Sequence, residues 1–281
     1  MKKYLKFFIL MLLVFNYSYS VSKIMPENDW KVKKLKGKVK TMVKTEYEYD
    51  SSGKLEKTWV TETYFNEQGY ITDEVQYVDN RLNQSIIYKN NSDGLPIKKD
   101  EVSRRYSYKY EETKDGNLLV TIKEEYVDKK HFPSLEKITY NKNGKKVHCL
   151  VYSGEELITN DTYIYNKKGN LIEIKNNTFS ENSMKITYNY KANGDYEKIT
   201  DVATAKWTYL YDKNGNEQEY ISMIKTGSEG KTKISIYLKF KDITRDEYGN
   251  LTRSTSVRYD YSKKKESSIY KKLENKYEYY K

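Results

Sequence analysis

The chain holds one cysteine in 281 residues, Cys149, and two histidines, His131 and His148. A single thiol excludes an internal disulfide framework, so stability has to come from strand pairing and packing. One thiol and two imidazoles also fall short of the three or four ligands of a zinc site. His148 and Cys149 are adjacent, and in a strand adjacent side chains point to opposite faces, so they cannot form a nucleophile–base dyad. Cys149, followed by Leu150 and Val151, reads as a buried strand residue. No cofactor and no metal is expected.

Long apolar runs are missing as well. Beyond the N-terminus no stretch approaches the roughly 20 residues a membrane-spanning helix needs, so no transmembrane segment is expected in the mature chain. Hydrophobic residues make up 37% and charged residues 32%, which argues against a thick aliphatic core. Proline is down to three residues while Lys, Asn, Ile and Tyr abound. That bias is how an AT-rich genome writes any protein, and it accounts for much of the basic excess.

The N-terminus has three lysines (Lys2, Lys3, Lys6), an apolar run from Phe7 to Phe15, then a polar stretch with Ser18 and Ser20. This order is that of a secretory signal peptide. The expected organisation is a signal peptide over 1–20, a lead-in segment over 21–43 and a β-hairpin repeat domain over 44–281, exported to the periplasm, the cell surface or the exterior. A lipid anchor is not expected, because no cysteine stands near the cleavage site. The formal net charge is +11, and it stays positive after processing, which favours an anionic envelope polymer among possible partners. The lysines are dispersed and no arginine cluster is present, so nucleic acid is not expected.

What is abundant is tyrosine, 31 residues, and it recurs in a pattern. An aromatic residue, then Asp, Asn or another polar residue, two more residues and Gly recur at Tyr49–Gly53, Phe65–Gly69, Tyr140–Gly144, Tyr165–Gly169, Tyr190–Gly194 and Tyr211–Gly215, with looser copies ending at Gly94, Gly116 and Gly249. Asp or Asn opens a turn by accepting a backbone N–H two residues on, and Gly closes it in the left-handed region. The flanks alternate with period two, as strands do. Tyr163 and Tyr165, Tyr188 and Tyr190, and Tyr209 and Tyr211 are pairs sharing one face. Ile164 and Leu210 between them point to mid-array strands covered on both faces. The longer gap from Gly215 to Gly249 points to an inserted hairpin or a degenerate copy. The pattern predicts an all-β fold, an extended antiparallel meander of hairpins forming a curved or twisted sheet, with at most a short helix within 27–38.

The Tyr-Asp-x-x-Gly-Asn-Leu-like unit, carried in literal Tyr-Asp-x-x-Gly form by Tyr49–Gly53 and Tyr211–Gly215 and continued by Gly169-Asn170-Leu171 and Gly249-Asn250-Leu251, resembles the YD repeats of the bacterial RHS family. The resemblance covers about 44–261. It implies a spiralling β-sheet, which in large family members encloses a C-terminal toxin. No autoproteolytic motif or toxin domain is evident here, and about nine repeats are expected to be too few to close a shell. A MORN-like group with Tyr-x-Asn-Gly hairpins ranks below, its spacing being shorter.

Asp212–Asn216 has some look of a calcium loop, but its glycine is misplaced and Met223 stands where a glutamate is needed; a hairpin turn explains it. Pairs such as Glu124-Glu125 and Glu155-Glu156 could supply glycosidase carboxylates, though with 40 acidic residues they arise by chance. The tyrosine ladder is the remaining candidate: Tyr163, Tyr165, Tyr188, Tyr190, Tyr209 and Tyr211 could stack on sugars or peptide side chains, or hold the sheet together. The expectation is a non-catalytic exported repeat protein that binds or scaffolds an envelope polymer or protein partner. Alternatives are a carboxylate-based envelope glycan enzyme and a structural component assembling through the edge strands.

Overall fold

The turns form as their residues dictate. Asn141 N donates to Lys145 O at 2.9 Å and Gly144 N to Asn141 O at 2.8 Å, while Asn141 Oδ1 accepts from the backbone of Asn143 and Lys145 at 3.0 and 3.1 Å. Asn66, Asn91, Asn166 and Asp212 repeat this pair of side-chain bonds. In the computed structural model, residues 24–127, 133–226, 231–260, 263 and 265–281 are described. The expected signal peptide over 1–20, His131 and Tyr261 lie outside them.

The first half of the wall is β1 (Val39–Tyr49), β2 (Leu55–Phe65), β3 (Ile71–Val78), β4 (Arg81–Asn90), β5 (Pro96–Asp100), β6 (Arg104–Glu112), β7 (Leu118–Tyr126), β8 (Ser134–Tyr140) and β9 (Lys146–Ser153). The second half is β10 (Glu156–Tyr165), β11 (Leu171–Asn176), β12 (Met184–Tyr190), β13 (Tyr196–Asp201), β14 (Ala205–Tyr211), β15 (Glu217–Thr226), β16 (Lys231–Arg245), β17 (Leu251–Asp260) and β18 (Lys265–Tyr279). β1 crosses the boundary expected at residue 43.

Each strand pairs antiparallel with its neighbours in sequence, and β18 pairs with β1 from Val39↔Tyr279 to Glu48↔Lys271. The sheet therefore closes into an 18-stranded up-and-down barrel. This corrects the expected open, extended curved or twisted sheet, and with it the view that nine repeats are too few to close. Each repeat supplies two strands, and full closure leaves no unpaired edge. Assembly through edge strands consequently has no strand to use.

Strand direction sorts the turns. Those holding Gly69, Gly94, Gly116, Gly144, Gly169, Gly194, Gly215 and Gly249 join even to odd strands and share one end. The Gly53 turn lies at the other end with the shorter turns, such as Asp79-Asn80, where both residues have left-handed φ of 47° and 63°, the mark of a type I′ hairpin. The gap between Gly215 and Gly249 holds no inserted hairpin: β16 is 15 residues long. Ile164 and Leu210 are not covered on both faces. They point outward, and Ile164 is 36% exposed, because a closed single-layer wall has nothing packed outside it.

Residues 24–38 cross the barrel mouth at the Gly-rich end and form a strap. A single helical turn, α1 (Asp29–Val32), is capped by Asn28 accepting from Lys31 N at 3.1 Å. Glu27 N donates to Gly144 O at 3.3 Å, and Trp30 N to Gly69 O at 3.2 Å. Asp29 Oδ2 accepts from Ile71 N at 2.7 Å, and Lys36 N donates to Asn250 Oδ1 at 2.6 Å. These anchors sit on the turns β8–β9, β2–β3 and β16–β17, spread around the ring, so the strap spans the lumen and fixes which face is inside. Its apolar residues seed the two core clusters. Trp30 and Leu35 pack on Val39, Met42, Phe65 and Ile71. Ile24 packs on Leu118, Val120, Ile138 and Cys149.

Candidate functional site

The strand register carries the inward face from the strap's contacts around the ring. Tyr110 pairs with Val120, Val120 with Ile138, Ile138 with Cys149 and Cys149 with Asp161, so Tyr163 and Tyr165, two and four residues beyond Asp161, point inward. Tyr188 pairs with Lys198, Lys198 with Tyr209 and Tyr209 with Tyr220. All six expected tyrosines thus face the lumen, but they divide into two groups.

Tyr163 and Tyr165 belong to the wall's own packing. Tyr163 joins the cluster around Cys149, Lys146 Nζ lies 5.0 Å from its ring centre, and Tyr165 donates to Lys146 O at 2.7 Å. Tyr188, Tyr190, Tyr209 and Tyr211 line a more open stretch, joined by Tyr196 and Tyr220, which the period-two pattern missed. Tyr196 lies across the five-residue turn from Tyr190, and only the hairpin register pairs them. Ring centres are 5.6 Å apart for Tyr190–Tyr196, 4.7 Å for Tyr196–Tyr211, where the rings are nearly parallel at 12°, and 4.9 Å for Tyr209–Tyr220. Tyr190 is 54% exposed. Burial raises the phenol pKa of Tyr188, Tyr196, Tyr209 and Tyr211 above the usual value, so this surface presents neutral rings with hydroxyl tips.

Charge enters this surface at two points. Lys198 Nζ stands 5.8 Å from the Tyr209 ring centre, and burial, followed by the nearby Lys34 of the strap, lowers its pKa. Burial pushes the Glu217 carboxyl up to about 7, opposed by Lys198 and Lys34. The charge of Lys34 on the strap thus acts on both Lys198 of β13 and Glu217 of β15.

Toward the opposite mouth the lumen turns ionic. Glu101 bonds Lys99 at 2.5 Å and Arg104 at 3.2 Å, and Arg104 also reaches Glu124 at 3.3 Å. Glu124 further accepts from Tyr106 at 3.1 Å and from Ser134. Lys271 lies 3.2 Å from Glu46 and 3.0 Å from Glu48, which also accepts from Trp59 at 3.2 Å. Although burial works against it, these hydrogen bonds and cations hold Glu48 and Glu124 below the ordinary carboxylate pKa. Glu125 points outward, away from Glu124, and Glu155-Glu156 occupies a hairpin at the far mouth.

The outer face is charged. Arg105 and Lys109 are each 70% exposed, and Lys123, Lys175 and Lys185 are exposed on the same face. In a lipid-facing wall each such cation near the midplane costs about 2–4 kcal/mol. No helix among the described residues is long and apolar enough to cross a membrane.

The remaining candidates resolve simply. Cys149 is 3% exposed and donates to Glu136 at 3.1 Å. Its neighbour His148 faces the other way and bonds Asn160 at 2.8 Å. Asp212 spends its oxygens on Asn214 N, Asn216 N and Asn216 Nδ2, as a turn requires. Among the described residues no group of three or more His, Cys, Asp or Glu is placed to hold a metal ion.

Neither a protein-family model nor a curated protein matches the sequence. Among solved structures, the chain is similar to a porin-like protein from Bacteroides uniformis ATCC 8492, with 12% identity and a TM-score of 0.48, covering 85% of this chain and 96% of that one. It is also similar to the Tc holotoxin pore of Photorhabdus luminescens, with 10% identity and a TM-score of 0.27, covering 80% of this chain and 16% of that one. Likenesses at these scores carry no functional argument.

Proposed function

We propose that this chain is an exported, non-catalytic binding barrel that holds an anionic envelope polymer or a protein partner on its inner face, at the tyrosine wall of β12–β15. The observation that carries this reading is the run of stacked rings from Tyr190 through Tyr196 and Tyr211, facing the lumen beside Lys198 and Glu217. Neutral rings with hydroxyl tips offer stacking and hydrogen bonding together, and the mouth of a β-barrel is a usual place for such a site. The lysine supplies the charge an anionic polymer would meet. The charged outer wall supports a barrel standing in water, and the turn unit, similar to that of YD repeats, supplies the curvature.

The lumen's ionic half supports the non-catalytic part. Glu101, Glu124, Glu46 and Glu48 are spent in ion pairs and hydrogen bonds. A second reading, glycan hydrolysis, draws on Glu217, whose raised pKa is that of a general acid. Binding of envelope fractions by the exported protein tests the first reading. Replacing Tyr190 and Tyr209 with Ser should weaken it at least about tenfold with the fold retained, and the affinity should fall with added salt. Release of reducing ends from a glycan, lost in Glu217→Gln, would favour the second reading instead.

A further inference from the structure

Between the strap and the wall from Tyr70 to Tyr140 lies a cavity of about 250 Å³. The strap lines it with Pro26, Glu27 and Asp29, and the wall with five tyrosines, Tyr70, Tyr88, Tyr108, Tyr110 and Tyr140. Leu95, Val120 and Ile122 add aliphatic surface. Tyr108 pairs with Ile122 and Tyr110 with Val120, so rings and aliphatic side chains stand side by side on one inward face. The volume exceeds the roughly 150 Å³ that holds a benzene ring, and one small organic group fits.

We infer that this cavity binds a quaternary ammonium group, the kind of cation that choline carries. Two features select that ligand. The first is charge. The chain as a whole is basic, at +11, yet among the described residues the charged side chains lining the cavity are Glu27 and Asp29, both acidic. Three lysines, Lys33, Lys99 and Lys146, act on its lining from outside. Each has an acidic partner: Lys33 lies 4.0 Å from Glu74, Lys99 2.5 Å from Glu101 and Lys146 3.5 Å from Glu136. Asp29 is fixed in place by Ile71 N, which donates to its Oδ2 at 2.7 Å. Burial raises its pKa, opposed by that bond and by Lys33, and a cation bound beside it would oppose burial in the same sense. An anion would meet only repulsion.

The second feature is the aromatic lining. A quaternary ammonium has no N–H to donate and is attracted to the faces of aromatic rings, so it takes walls of rings and aliphatic carbon. A primary ammonium brings three N–H donors, which Leu95, Val120 and Ile122 cannot accept. Tyr70 and Tyr110 engage their hydroxyls with Pro26 O at 3.0 Å and Pro96 O at 2.7 Å, which holds both rings in place. Burial raises the phenol pKa of Tyr88, Tyr108 and Tyr140, so the rings stay neutral and Asp29 supplies the countercharge. The same wall already takes a cation against a ring: Lys99 Nζ stands 6.0 Å from the Tyr88 ring centre. This cavity is separate from the tyrosine wall of β12–β15, and the inference stands whether or not that wall binds a partner.

The test is calorimetric titration of the full chain with choline chloride and with its neutral carbon analogue, 3,3-dimethylbutan-1-ol. Choline should bind, and the analogue should bind at least about tenfold more weakly, because it keeps the shape and lacks the charge. Asp29→Asn keeps an acceptor for Ile71 N and removes the charge; it should weaken choline at least about tenfold. Tyr108→Leu should do the same, while Tyr108→Phe, which keeps the ring, should stay within about twofold of the unaltered chain. The double change Tyr190→Ser, Tyr209→Ser should leave choline binding unchanged. Should Tyr108→Leu not fold, the analogue and Asp29→Asn decide the matter. Three results would overturn the inference. One is no binding of choline by the unaltered chain. Another is equal binding of choline and the analogue, which would make the cavity an apolar void indifferent to charge. The third is choline binding that survives Asp29→Asn, which would place the cation elsewhere.

Discussion

Asn250 holds the strap by both ends of its side-chain amide: Oδ1 accepts from Lys36 N at 2.6 Å and Nδ2 donates to Lys36 O at 2.8 Å. The two residues are 214 positions apart, and Asn250 is 3% exposed. Its Nδ2 also reaches Tyr279 Oη at 2.7 Å, on the strand that closes the barrel. Asn250→Ala removes both strap bonds to Lys36 and the bond to Tyr279 at once, while Tyr279 keeps its hydrogen bond to Asp246. It should cost about 1–3 kcal/mol, read as a lower midpoint in urea, with faster amide exchange in residues 27–38 than in the wall.

Gly144 and Gly215 separate strap contact from backbone strain. Both have left-handed φ, +74° and +78°. A Cβ at Gly215 meets nothing, whereas one at Gly144 would overlap the carbonyl oxygen of Met25. Gly215→Ala should cost only the left-handed penalty, about 1–2 kcal/mol. Gly144→Ala should cost visibly more in the same denaturation series. Equal costs would remove the strap from the mouth.

The turns were legible because their chemistry is local: Asn141 and Gly144 fix one turn with four bonds inside five residues. That Tyr188 and Tyr190, and Tyr209 and Tyr211, share one face of β12 and β14 was legible too, since they obey the strand period; that this face is the inner one was not. Closure was not, because nothing near Val39 encodes a partner at Tyr279, and only the count of strands decides whether a twisted sheet meets itself. Tyr196 was missed since its partnership with Tyr190 runs across a turn. The strap reads in sequence as a lead-in, its anchors being turns as far apart as Gly69 and Asn250.

Glu217 makes stability depend on pH near neutrality. Its folded pKa, about 7, lies above the ordinary 4.5, so the folded state binds its proton more tightly than the unfolded chain does. Stability from this group is full below about pH 4.5 and falls as pH rises through 7. Lys198 and Lys34 face it and limit the effect. Melting temperature should drop between pH 5 and 8, and Glu217→Gln should flatten that drop while changing little at pH 4.5.

Cys149 should behave as an inert thiol. Burial, helped by the Glu136 carboxylate, pushes it up to about 11, so little thiolate exists at pH 8. Maleimide labelling of the folded chain at that pH should be slow and should rise steeply in denaturant. Rapid labelling of the folded chain would show the β8–β10 wall to be open.

The closed barrel is what puts the tyrosines inside, and one cross-link tests it directly. Thr45 and Glu274 are paired across β1 and β18, and directly paired residues in antiparallel strands have Cα separations of about 4.5–5.5 Å, within reach of a disulfide. With Cys149 replaced by Ser, the double change Thr45→Cys and Glu274→Cys should oxidise quantitatively in the folded protein, giving a faster-migrating band that reverts on reduction. An open sheet holds these strands at opposite ends of the array, and failure of the pair to cross-link while the chain remains folded would contradict the account.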